Sequence, residues 1–404
     1  MKPVLLAGAL CCLLLSSCAA NPSRSYNTDW DTFQGSAQRI GAVPDAPRPP
    51  LQQKWTFETG GRLVYPPVVR EGIAYLGSRD SRLYAVRLDD GGKVWDIDLP
   101  LGGLFSSPTL AGEQIYGGKW TPYYAVHAWD RLSGAELWSR ETGELVNRPP
   151  WVLVTADTLF THRDPAVGQE EQFKVVAEAW ELAGQQTQWQ TPLQGIPAVA
   201  PALSPELILY ATDNDRLIAL ERSSGELRWQ AELASEPVST PLLHGQHAIV
   251  ATATGFVYAF ELETGKVAWR YQFPNATLSA DLALSGELLL IPAGKQLLTF
   301  NTRTLEAGWR FRAPNELTAP IASRDFVYIG SLNQMLYVLE STRGTVAGMY
   351  RVGGEILAAP VAVDGLVLVA STDGKLYAFE EKEVVQAPVQ PQQPPPQRRR
   401  PSRW

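Results

Sequence analysis

Ala259-Phe260-Glu261-Leu262-Glu263-Thr264-Gly265-Lys266-Val267-Ala268-Trp269 is the stretch on which the fold turns. It reads as the end of one short apolar strand, a tight turn whose glycine accepts a positive φ, and the start of a second strand that reaches a tryptophan. The same spacing returns in Ala128-Trp129-Asp130-Arg131-Leu132-Ser133-Gly134-Ala135-Glu136-Leu137-Trp138, and nearly so over 85–95 and 219–229. Along the chain, Trp55, Trp95, Trp138, Trp189, Trp229, Trp269 and Trp309 stand 40, 43, 51, 40, 40 and 40 residues apart. An eighth slot falls at Gly348, where the aromatic is missing and Met349 follows. A repeat of this length with four short apolar segments per unit is the signature of a four-stranded propeller blade. The predicted fold is therefore all-β: one eight-bladed β-propeller over 51–385.

In the fifth unit the spacing predicts an innermost strand over 238–243, then strands over 248–252, 256–262 and 266–271. Pro241 lies in the first of these. Pro67, Pro108, Pro150, Pro201, Pro320 and Pro360 hold the same slot in other units, and Asp281 replaces it in the sixth. The last unit, 356–380, supplies only three strands; Leu51-Gln52-Gln53-Lys54-Trp55-Thr56-Phe57 is the expected fourth, a pairing that removes open sheet edges. Ahead of it, Trp30-x-x-Phe33-x-Gly35-x-x-x-Arg39-x-Gly41 is expected to lay an apolar pair on the disc, with the proline-rich 43–50 as a spacer. Residues 386–404 are rich in proline, glutamine and arginine and are expected to stay extended or disordered.

The turn-and-tryptophan segment resembles the tryptophan-docking repeat of the PQQ-type (quinoprotein dehydrogenase-like) propellers. The resemblance covers about 55–385; Gln185, Leu305 and Gly348 depart from it, standing where glycine, glycine and tryptophan are expected. It implies that all seven tryptophans are structural, each indole wedged between neighbouring blades against small alanine and glycine positions. An indole so placed buries roughly 150–250 Å² and contributes at most about 4–6 kcal/mol.

Residues 1–17 read as an export signal: Lys2 gives the charged start, and the apolar run over 4–15 is too short to span a bilayer. Leu15-Ser16-Ser17-Cys18 resembles the bacterial lipobox, which implies cleavage before Cys18 and acylation of its thiol and amine, with 18–50 as anchor linker and lead-in. Such chains anchor through about 0.8 kcal/mol per buried methylene. Lipoproteins kept at the inner membrane often carry aspartate next; Ala19 favours the outer membrane, facing the periplasm. Cys11 and Cys12 leave with the signal, so the mature chain can form no internal disulfide. A net charge of −7 argues against a nucleic-acid groove. The base in the tail, Arg398, Arg399, Arg400 and Arg403, sits apart from an acidic body.

No catalytic constellation stands out. His244-x-x-His247 is the one metal-like spacing among four histidines, and two ligands do not make a zinc site. Asp80, Asp213, Asp215 and Asp373 fall in the second turns of their blades and read as turn formers. PQQ-dependent dehydrogenases resemble one another in a neighbouring-cysteine disulfide, a calcium held by Glu, Asn and Asp, and a catalytic Asp. The mature chain would keep only Cys18, taken up by lipid, and lacks the long inserts, so neither catalysis nor a cofactor is expected. The repeat is lengthened at two adjacent second turns, at 119–124 in blade two and 163–172 in blade three. These supply the candidate partner-binding residues Trp120, Tyr123, Tyr124, Arg163, Asp164, Glu170 and Glu171, because loops on a rigid scaffold carry binding and aromatics anchor it. Lipobox, eight blades and no cofactor chemistry together resemble the propeller lipoproteins of the outer-membrane β-barrel assembly machine. The resemblance implies a non-catalytic scaffold, monomeric within a complex of envelope proteins. The alternatives are an envelope propeller binding another complex or polysaccharide and, more distantly, a PQQ-dependent dehydrogenase.

Overall fold

A computed structural model describes residues 29–99, 103–104, 106–120, 124–143, 151–163 and 175–383. Eight antiparallel four-stranded sheets follow one another along the chain. Blade one is Val68–Arg70, Ile73–Ser78, Arg82–Arg87 and Lys93–Asp98, and the next six repeat this inner-to-outer order. In blade eight, Val361–Val363, Leu366–Ala370 and Lys375–Glu381 are completed by Leu51–Glu58 from the other end of the chain. Its register runs from Leu51 opposite Glu381 to Glu58 opposite Lys375.

In blade five the inner strand is Leu242–His244, shorter than the predicted 238–243. The proline explains the difference: with no N–H to donate, it ends the approach to the sheet and does not join it. Pro67, Pro108, Pro201, Pro241, Pro320 and Pro360 each immediately precede an inner strand. Between blades the side chains alternate into separate apolar cores, such as Leu207, Leu209, Leu217 and Trp229 against Leu243, Val250 and Phe260.

The lead-in packs on the disc by crossing the inner strands at one mouth of the central channel. Inner strands have one unpaired edge, and buried backbone groups there must find partners. Trp30 exchanges both backbone hydrogen bonds with Val69 of blade one, at 2.7 and 2.9 Å. The amides of Leu110, Leu203, Leu243, Leu284 and Ala322 then donate to the carbonyls of Asp31, Ala37, Gln38, Ile40 and Gly41, in blades two, four, five, six and seven. Trp30 is buried, and its ring lies so close to Gly35 (φ 79°) that a Cβ there would come within 2.9 Å of it.

Arg39 locks this plug. It is 2% exposed and adopts φ 61°. Its Nε donates to the Pro201 carbonyl at 3.2 Å, and its Nη1 donates to Thr32 Oγ1 at 3.0 Å and to the Phe33 carbonyl at 2.5 Å. Burial lowers its pKa to about 10, partly countered by the field of Asp281. Substituting Arg39→Ala strands these acceptors; the expected loss is about 2–3 kcal/mol in denaturant titration. Amide exchange is expected to quicken selectively at Leu203, Leu243 and Leu284.

Candidate binding face

Antiparallel order gives the disc two unlike faces. The first and third turns of each blade, with the plug, lie on one. The second turns and the connections between blades lie on the other, which therefore carries both lengthened turns.

The tryptophans hold the ring between these faces. Trp55, Trp95, Trp189, Trp229 and Trp309 donate their indole N–H to the carbonyls of Leu88, Arg131, Arg222, Leu262 and Ser341, at 2.7, 3.1, 2.9, 2.8 and 2.9 Å. Each acceptor lies at the third turn of the following blade. The turn glycines Gly91, Gly134, Gly225, Gly265 and Gly344, with φ of 67–73°, lie against the same indoles. The alanines have a different place: Ala85, Ala128, Ala179, Ala219 and Ala259 are the cross-strand partners of Trp95, Trp138, Trp189, Trp229 and Trp269 within their own blades. Gln185 and Leu305 keep the backbone of the glycines they replace, at φ 52° and 60°. Arg140 clamps the first of these turns, donating to the Gln185 carbonyl and Thr187 Oγ1 at 2.8 Å each and stacking on Trp180. The third strand of blade eight leads to the chain end, so that blade has no third turn for an indole at 348 to meet. Tyr350 covers Gly348 instead, and its hydroxyl accepts the Leu51 amide at 2.7 Å.

Left-handed backbone at a non-glycine residue is costly, and Leu305 is 45% exposed with little packing to lose. Leu305→Gly is expected to raise stability by about 0.5–1 kcal/mol. At Gly265 an added Cβ would lie 2.5 Å from the Trp229 ring. Gly265→Ala is expected to lower stability by about 1–3 kcal/mol, both changes being read from chemical denaturation.

On the loop face, all eight blades converge on an axial funnel of about 440 Å³. Its walls include Val64, Tyr65, Trp151, Val199, Val238, Leu317 and Leu357, and Phe33 of the plug forms its floor. Among the described residues, Asp281 and Glu316 are the carboxylates lining it and no lysine, arginine or histidine does, though Arg79 packs over Tyr65. Asp281 occupies the slot that proline holds elsewhere. Its carboxylate accepts the Thr240 amide at 2.6 Å, and burial raises its pKa against the opposing effects of Thr240 and Arg39.

The other sequence-derived candidates fall in several places. Cys18, Tyr123, Asp164, Glu170 and Glu171 lie outside the described residues. Trp120 ends one strand and Tyr124 begins the next, flanking the lengthened turn of blade two. Arg163, at the base of the lengthened turn of blade three, pairs with the buried Glu178, which also accepts Trp180 Nε1 at 2.8 Å and Gln190 Nε2 at 2.7 Å. Asp80 accepts the Gly60 amide at 2.7 Å and the Tyr84 hydroxyl at 2.5 Å, and Asp373 accepts the Tyr377 hydroxyl at 2.6 Å. Both bind turns to connections. His244 and His247 face each other across a hairpin. Among the described residues no group of three or more His, Cys, Asp or Glu side chains could hold a metal.

His162 lies near the end of the strand Thr158–Arg163 in blade three, 2% exposed, with neither ring nitrogen hydrogen-bonded among the described residues. Burial lowers its pKa from 6.5 to about 4. The unfolded chain therefore binds a proton there that the folded chain refuses. The stability from the neutral ring is complete above about pH 6.5 and is lost as pH falls from there toward 4. His162→Phe is expected to flatten the fall in melting temperature between pH 7 and pH 5, a difference on the order of 2 kcal/mol at pH 5.

The closed ring, its docking indoles and its axial funnel define a PQQ-type eight-bladed β-propeller. The model of the family described as "Outer membrane protein assembly factor BamB" matches residues 48–177, 172–310 and 300–402, and the chain belongs to that family. A curated relative, outer membrane protein assembly factor BamB of Yersinia pestis, is 40% identical over 62 residues; the match spans 15% of this chain and 16% of that protein. The crystal structure of BamB from Moraxella catarrhalis superposes with a TM-score of 0.63 at 16% identity, covering 82% of this chain and 99% of that one. A europium-containing methanol dehydrogenase superposes at 0.74 with 12% identity, covering 87% and 98%. At these identities the superpositions speak for the fold alone.

The dehydrogenase likeness raises the question of a quinone. Pyrroloquinoline quinone is a polycarboxylate and, in such enzymes, sits beside a metal. Among the described residues this funnel offers it two carboxylates, too few to hold the metal, and no cation on its lining, Arg39 being committed to the plug below the floor. The residues present do not fit that group.

Proposed function

We propose that this protein is a non-catalytic, periplasmic scaffold in outer-membrane β-barrel assembly, anchored by lipid at Cys18. The family match along nearly the whole ring carries the reading. The misfit between the funnel and a quinone favours binding over redox chemistry. Docking falls to the loop face, where Trp120, Tyr123, Tyr124, Asp164, Glu170 and Glu171 would meet the partner around the base set by Arg163.

Mild crosslinking followed by affinity capture from envelopes is expected to enrich components of the barrel-assembly machine. Shortening the lengthened turn of blade three by deleting residues 164–172 is expected to cut that enrichment at least tenfold while leaving the melting temperature within a few degrees. Capture without any such component would refute the reading.

A further inference from the structure

We propose that the axial funnel is a binding site for an extended polypeptide segment that places a large apolar side chain beside basic ones. Its volume of about 440 Å³ lies in the range of pockets that enclose part of a ligand. The walls are mostly aliphatic, with Tyr65 and Trp151 among them, and Leu357 remains 38% exposed. Phe33 makes the funnel blind, so an occupant enters from the loop face.

Charge selects the occupant. Asp281 lies inside and Glu316 at the rim, and the connections between blades add Glu236 and Glu355. Against these four carboxylates stand, among the described residues, Arg62 in the connections and Arg79, which packs over Tyr65 of the wall. Arg39 lies beneath the floor with its donors on Pro201, Thr32 and Phe33, and its charge offsets part of that of Asp281, so Glu316 is the lining carboxylate left to a ligand. An anionic segment would be repelled, whereas a basic one gains from charges held in partly apolar surroundings. A wide mouth on a face ringed by loops leaves room for chain on both sides of the inserted residue, which favours a peptide over a small amine. That such a segment belongs to an unfolded client rests on the proposed function; the site itself does not.

Fluorescence anisotropy on the full-length chain tests this with three labelled probe peptides, Gly-Lys-Trp-Lys-Gly, Gly-Lys-Ala-Lys-Gly and Gly-Glu-Trp-Glu-Gly. The first is expected to bind saturably and the other two at least tenfold more weakly. Ala280→Trp, which fills the cup, and Leu357→Arg, which adds a positive charge at an exposed position of the lining, are each expected to weaken the first peptide at least tenfold. Glu316→Gln is expected to weaken it a few-fold at low salt and less at high salt. Equal binding of the alanine peptide, retention of affinity in Leu357→Arg, or equally tight binding of butylamine in place of the peptide would each overturn the proposal. Loss of barrel-assembly capture with peptide binding intact would sink the proposed function and leave this site standing.

Discussion

The ring depends on one repeated contact: an indole from the outer strand of a blade set against the third turn of the next, its N–H on a turn carbonyl and its ring over a left-handed residue. The contact couples neighbours twice, through apolar burial and through satisfaction of a carbonyl that the turn leaves open. It also fixes how many tryptophans the chain can use. Eight blades closed by a strand from the opposite terminus contain only seven third turns, because blade eight receives its outer strand from Leu51–Glu58. The missing aromatic at Gly348 is thus a consequence of closure, and Tyr350 bridges that seam by accepting the amide that opens the closing strand.

Much of this was legible because it repeats. Tryptophan spacing, turn glycines and an incomplete last unit lead to eight blades and their closure without reference to any contact. What does not repeat was harder to read. The lead-in contains Trp30, Phe33, Gly35, Arg39 and Gly41, a pattern that signals packing but not location; its place in the channel follows from unpaired inner edges, which no local propensity encodes. The inner strand of blade five was drawn too long because apolar residues before a proline look like strand, although the proline marks its boundary. Asp281 was visible as the acid in a column of prolines. Its meaning emerged only where Thr240 and Arg39 meet it at the funnel.

The same disc serves redox enzymes and assembly factors, and the difference lies on the axis. Funnel walls come from connections whose sequences are free to vary, while blade contacts hold the frame constant. In this chain the axis is stopped at one end by its own backbone and lined at the other by aliphatic groups and carboxylates.

The plug and the closing strand lie in series along the chain, and this order has a mechanical result. Tension entering from the amino-terminal side reaches 30–43 before it reaches Leu51–Glu58. There it meets hydrogen bonds to six blades, so the strand that fastens the ring is loaded only after those have given way.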